Sequence, residues 1–446
     1  MLLRTPDFYP KFHCIADKCT DSCCIGWEID VDRITQEKYR QVKSEFKKKL
    51  DESVRDGHFV LTTGDRCPFL DKCGLCEIYT HLGEDALCDI CREHPRFVEV
   101  YGDIKEQGIG LCCEEGVRLL LEETHPVNSA APGDANRRET EEAENAAPEK
   151  AENAAPEDAN NAAPIMQFIE SEVDDIPDEL PDDARDARDQ IFAERKNMFA
   201  ILSQHEKPLN KRLQMLLEYA VEVSGISEDS ISENNENIDK DRPSKSSDNA
   251  ADSVTDNATN NTVNNAADIH ADNAADIAKI YREWIGILGN GESFGPAWDK
   301  AYKAISEKGW HNFGNKNSYI QKDRGTKATC RESLFSDLDG AKIVAYMLFR
   351  YYAKSLFDGD SLGKVQFAIF FWIILREFGQ ELAGISENEV PAADPKNKFI
   401  DPRIAAVKLL SKQVEYSDEV MELLAEAFAN DEAFGVERFL LLLQEK

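Results

Sequence analysis

Positive charge, thiols outside the first quarter and long apolar runs are all scarce in this chain of 446 residues. Only 52 Lys and Arg stand against 85 Asp and Glu, leaving a net charge of -33. Such an excess is unfavourable for docking on phosphate backbones, so no nucleic-acid partner is expected, and a basic partner suits it better. The longest apolar stretch, Val365 to Leu375, is far short of the roughly 18 residues a membrane span requires; it is expected as a buried helix, with no membrane partner. The opening MLLRTPDFYP has none of the basic, apolar and small-residue regions of an export signal. A cytoplasmic location, where thiols stay reduced, is the expectation.

Two motifs are missing as well. No CxxxCxxC run is present, which excludes the familiar loop that holds a radical-generating cluster. The segment GILGNGESFG, Gly286 to Gly295, follows no apolar strand and has no matching acidic residue after a second strand. It reads as a loop between helices rather than the turn of a dinucleotide-type fold.

Large apolar residues also vanish from two tracts. One repeats AENAAPE units at Ala143 and Ala151, and the other carries NAAD units at Asn249, Asn265 and Asn273. Neither can bury enough surface to offset the entropy of ordering it, so both are expected to be disordered. The chain then divides into a cysteine-rich module (1–125), a linker (126–165), a helical segment (166–226), a second linker (227–276) and an all-α C-terminal domain (277–446). Helices are expected near Thr35 to Leu50 and Glu114 to Glu123, then as an amphipathic pair broken at Pro208, then through most of the last block, where Ser417 reads as a helix start. The expected fold is mainly α: a small metal-binding module on an all-α body, interrupted by two disordered tracts.

What the chain does have is cysteine in one place. Eleven of its 12 cysteines lie between Cys14 and Cys113, and the last is Cys330. They come in sub-clusters: CIADKCTDSCC, CPFLDKCGLC, CDIC and the pair Cys112–Cys113. Loops that each offer two thiols are what tetrathiolate zinc and iron-sulfur sites use. Cys73 with Cys76 and Cys88 with Cys91 would satisfy a zinc ribbon by themselves. The remaining thiols exceed that need, which weighs toward an iron-sulfur cluster.

Around these cysteines, FHCIADKCTDSCCIGWEID, CPFL, GLCEIY, CREHPRF and CCEEGVRLLL resemble the flagellin lysine-N-methylase family, as do LNKRLQMLL, YMLFRYYAKSLFDGD and SKQVEYSDEVMELL farther on. The resemblance implies a bacterial motility enzyme that moves methyl groups from S-adenosylmethionine to lysine side chains of flagellin, with a [4Fe-4S] cluster held by the module. Flagellin or another lysine-bearing protein is the implied partner. The cysteines it implies as metal ligands are Cys14, Cys19, Cys23, Cys24, Cys67, Cys76, Cys91 and Cys113; Cys73, Cys88 and Cys112 fit the pattern less well. Glu114 stands where the pattern suggests a proline. The alternative is a zinc-stapled acidic module that recruits a basic protein without catalysis.

Methyl transfer needs a neutral amine, and deprotonating a lysine at pH 7 costs about 4.6 kcal/mol. Trp27, Glu28 and Asp30 follow the Cys23–Cys24 pair, where an aromatic face and carboxylates could hold a cationic sulfonium. The plainer reading is that Trp27 packs the module and the acids are solvated. Glu28, Asp30 and Tyr79 are the catalytic candidates; Trp27 and Arg350 are the cofactor-binding ones. Arg350 could recognise a donor carboxylate, or tie two helices together. Glu415 and Ser417 read as interhelix and cap contacts, and His13 and His94 only flank cysteines.

Overall fold

The computed structural model describes residues 1–22, 24–26, 29–64, 66–122, 164–225, 276–291, 293–307, 334–384 and 400–444. All but the last two residues of the first expected linker, and all but the last of the second, lie outside these. Ile165 is buried and residue 276 is helical.

Helix outweighs strand, and from residue 276 onward the described chain contains only helices and turns. The early strands are β1 (Leu2–Pro6), a small hairpin of β2 (Val54–Arg55) and β3 (His58–Phe59), then β4 (Arg96–Tyr101) and β5 (Ile104–Ile109). Strand β6 (Phe168–Glu172) follows the first linker. A mixed sheet in the order β4-β5-β1-β6 pairs β1 parallel to β5 and antiparallel to β6. The segment 166–226 is therefore not helical throughout: its first residues extend to complete the sheet, in register with Leu2–Pro6.

Around the module's thiols lie four short helices, α1 (Arg33–Gln41), α2 (Phe46–Ser53), α3 (Glu77–Leu82) and α4 (Asp89–Glu93). The single helix expected over Thr35 to Leu50 is two helices. Val42 turns to extended backbone after α1, and Tyr39 of α1 and Phe46 and Leu50 of α2 then meet in one core. Asp32 caps α1 by accepting from the Thr35 N–H at 2.8 Å, and its second carboxylate oxygen accepts from the Asp89 N–H at 3.0 Å, joining α1 to α4.

Helix α5 (Glu114–Leu121) turns its apolar face into the body. The expected pair follows as α6 (Asp182–Leu202) and α7 (Leu209–Ser224), with Pro208 at the amino end of α7, where its missing N–H costs nothing. The body continues with α8 (276–288), α9 (Pro296–Ser306), α10 (Asp337–Tyr351), α11 (Ser361–Leu382), α12 (Pro402–Glu415), α13 (Asp418–Asn430) and α14 (Val436–Leu442). Helix α11 carries the Val365 to Leu375 run, apolar except for Gln366, whose amide donates to the Phe434 carbonyl at 2.8 Å; the run is buried on every side, packed against α7, α9, α10 and α12. No helix among the described residues is long and apolar enough to cross a membrane.

Two separate apolar cores result. The large one joins sheet, α5 and body; the small one belongs to the module alone and contains Cys67 and Cys88. The sheet is fixed to the body by the ion pair of Glu106 on β5 with Arg195 on α6 at 2.5 Å, and by Tyr346 of α10, whose hydroxyl donates to the Ile109 carbonyl and accepts from its N–H. Residues 289–291 and 293–295 follow α8, which runs through Gly286, and are not helical. Gly289 and Gly291 are there for close approach: a Cβ would strike Tyr302 at the first and Val420 at the second.

Candidate functional site

Five thiols meet in the module's small core. Cys67 and Cys88 are buried in it, and Cys24, Cys76 and Cys91 pack against it. Local structure explains how they arrive. The Cys67 N–H donates to the Cys24 carbonyl at 3.0 Å, tying the CTDSCC loop to the CPFL loop. Leu70 bridges to Cys76, and the Glu77 N–H donates to the Phe69 carbonyl at 2.7 Å, which brings the GLC turn back onto the same core. Cys76 and Cys88 stand just before α3 and α4, and Cys91 is the third residue of α4.

Burial pushes the Cys67 thiol up to about 11. Cys88 and Cys91 share a hydrogen bond, which favours the thiolate at Cys88 and the protonated thiol at Cys91. Tyr39 packs against this group, donating to the Ala86 carbonyl at 2.9 Å. Soft donors grouped in one small core are of the kind that zinc and iron-sulfur sites use. The likeness is in kind and in grouping: among the described residues no three His, Cys, Asp or Glu side chains stand ready-arranged round one metal ion. Cys23, beside Cys24, lies outside the described residues.

Three other thiols lie elsewhere, at the junction of module and body. Cys112 is buried with its sulfur 2.6 Å from the Tyr416 hydroxyl, and Tyr416 reaches His94 Nε2 at 3.3 Å. Burial raises Cys112 and Cys113 to about 12 and raises Cys19 as well. Burial, together with the charges of Lys412 and Arg350, lowers His94 to about 4.

Glu114 accounts for this arrangement. Its carboxylate accepts from the Thr20 N–H at 3.0 Å, from the Thr20 hydroxyl and from Lys408 at 3.3 Å. Burial opposes its ionisation, but those bonds outweigh it and hold the carboxyl below its usual range. Lys412, one turn along α12 from Lys408, pairs with Asp21. The position where the family pattern suggests a proline is thus a clamp between the first thiol loop, α5 and α12.

The eight cysteines implied as ligands do not come together as one set. Cys24, Cys67, Cys76 and Cys91 do, joined by Cys88. Cys19 and Cys113 go to the junction, because Cys113 caps α5 and α5 is committed to the body core. Cys14 is exposed, and so is Cys73, on a turn organised by Asp71.

Of the candidate catalytic and cofactor residues, Trp27 and Glu28 lie outside the described residues. Asp30 is exposed and pairs with His58 at 2.6 Å. Tyr79 is exposed on α3. Arg350 ties helices together: its guanidinium meets Glu415 of α12 at 2.7 Å and lies over the rings of Phe97 and Tyr351. Glu415 also accepts from Tyr351 at 2.6 Å and from Ser411, so both its oxygens are engaged and it braces the junction. The Ser417 hydroxyl accepts from the Val420 N–H, a helix cap as expected. Lys408 and the pairing of Cys112 with Tyr416 escaped the sequence reading because the partners stand 294 to 388 positions apart.

No family model and no solved structure matches this chain. Curated proteins do. It is 28% identical over 130 residues to a protein named Lysine-N-methylase from Salmonella typhimurium, covering 26% of this chain and 31% of that one. A Lysine-N-methylase of Salmonella choleraesuis matches at the same identity and coverage. The Flagellar biosynthetic protein FliU of Salmonella muenchen is 28% identical over 129 residues, which is 75% of its length. The chain thus spans about a third of the length of the lysine-N-methylases it matches.

Proposed function

We propose, from the premise that this chain is a relative of the lysine-N-methylase family, that it is a protein lysine N-methyltransferase acting on flagellin, with S-adenosylmethionine as donor and a [4Fe-4S] cluster in the module. The observation that carries the reading is the meeting of Cys24, Cys67, Cys76, Cys88 and Cys91 in one small core. Four thiolates hold such a cluster, and these five are the described residues that would supply them. Such a cluster supplies thiolate-held iron, and the donor supplies an electrophilic methyl group.

The protein's own task is to present a lysine as its neutral amine. Carboxylates work against this near the reacting nitrogen, because a negative neighbour favours the ammonium. They work for it at a distance, by drawing a cationic segment toward a chain with net charge -33. Acidic residues therefore belong on the approach, and an apolar or hydrogen-bond-accepting surround belongs at the amine.

Anaerobically reconstituted protein incubated with labelled S-adenosylmethionine and flagellin is expected to place label on lysine. Absence of label from an iron-loaded preparation overturns the enzymatic reading. Metal analysis separates it from the stapled binding module: iron with acid-labile sulfide supports the first, and colourless protein with zinc supports the second.

A further inference from the structure

Among the described residues strand β6 is the outermost on its side of the sheet, paired with β1. Met1 and Val173 exchange both backbone hydrogen bonds, and the Asp7 N–H donates to the Gln167 carbonyl. Alternation along an antiparallel pair then turns the N–H and C=O of Ile169 and Ser171 inward, toward β1. Those of Phe168, Glu170 and Glu172 point outward. A row of such groups is a template for an incoming strand.

Edges are commonly blunted by lysine, proline or a bulge, and Phe168–Glu172 contains neither lysine nor proline. It carries acids instead. Glu170 and Glu172 are followed by Asp174, Asp175, Asp178 and Glu179, and no Lys or Arg occurs from Ile169 to Ala184. Arg4 and Lys105 neutralise Glu170 and Asp175, while Glu172 and Asp174 make no ion pair among the described residues. Two large apolar side chains stand out of the same ribbon, Ile169 at 45% and Ile176 at 89% exposure.

We propose that β6 is the docking edge for an extended, lysine-bearing segment of a protein partner, which adds to the sheet as a fifth strand with its lysines over Glu172 and Asp174. The open backbone supplies the affinity, and the charge selects a basic segment over a second copy of this acidic chain. That the partner is the methylation substrate rests on the function proposed above. The edge would hold the segment by its backbone and flanking lysines, leaving the reacting amine to a less acidic place.

The full-length protein, without methyl donor, would be titrated with purified flagellin and separately with a synthetic peptide alternating lysine and valine, while backbone amide exchange is followed. Protection at Glu170 and Glu172 is expected with at least one of the two. Glu172→Pro deletes an outward N–H and spares the ladder to β1, so it should keep its circular dichroism spectrum and bind about tenfold more weakly. Glu172→Gln keeps the N–H and should weaken binding less while flattening its salt dependence. No binding by either probe, unchanged exchange at Glu170 and Glu172 in the bound state, or undiminished affinity of folded Glu172→Pro overturns the proposal. If Glu172→Pro fails to fold, the exchange measurement on the unaltered protein decides. Docking without methyl transfer counts against the enzymatic reading alone, and methyl transfer without protection at this edge counts against the docking edge alone.

Discussion

The two cores of this protein are held together by different means. The body buries the nearly all-apolar Val365 to Leu375 run, with aromatic rings gathered about Trp284 and Phe370, and its polar contacts are braces laid over a core already large enough to be stable. The module has a small core in which buried thiols occupy places that bulkier aliphatic residues would fill in the body. A thiol is a modest hydrophobe, so packing explains little of why five converge there. On the function proposed above, a bound metal would tie these five together.

Removing metal should break that contrast most sharply. If the module is stapled by its thiols, chelation under anaerobic conditions withdraws on the order of 10 kcal/mol of binding free energy. Amide exchange should then accelerate across α1 to α4 while α10 and α11 stay protected; equal loss in both regions would mean that the two cores are not independent.

Glu415→Ala tests the other side. It leaves the Arg350 guanidinium in a largely buried site without its carboxylate, and the expected loss is about 3–5 kcal/mol of body stability. Urea unfolding followed by helical circular dichroism measures it, and iron content should be unchanged.

A smaller effect is expected from Asp32→Ala, which removes the α1 cap and the bond to α4 for about 1 kcal/mol of module stability. The same residue carries a pH signature. Burial opposes its ionisation, but the Thr35 and Asp89 N–H groups outweigh that and lower its folded pKa. The unfolded chain therefore binds the proton more readily, so this stabilisation is present above the unfolded value near 3.9 and is lost as pH falls through the lower folded value. Acid titration of the unaltered protein should show the component, and Asp32→Ala should lack it. Cys73→Ser should do least, within about 0.5 kcal/mol and without loss of metal, because this thiol stands exposed on a turn. Metal loss in that variant would show that the thiol core extends beyond the five.

The body was largely legible from its sequence. The pair broken at Pro208, the helix start at Ser417 and the all-round burial of Val365 to Leu375 follow from periodicity, caps and composition, all of which act within a few residues. The break between α1 and α2 was not legible, since no glycine or proline marks it and the turn at Val42 serves to aim Tyr39 and Phe46 at one core. Strand β6 was missed because it pairs with residues some 166 positions away and its own pattern is weak. In the module, the sequence announced many thiols without saying which are neighbours: Cys88 is in the core and Cys113 is not.

Composition and local pattern alone thus determined a helical, acidic chain with its thiols concentrated at one end, because helix formation and charge depend on near neighbours and simple counts. Tertiary structure decided that five of these thiols share a module core while Cys19, Cys112 and Cys113 lie at the junction with the body, and that an acidic strand lies at the sheet's edge. The junction rests on contacts some 300 positions apart and the edge strand on pairing some 166 positions apart, and such contacts are selected by how whole elements pack, with Glu114, Lys408 and α5 drawing some cysteines to the body and leaving the others behind.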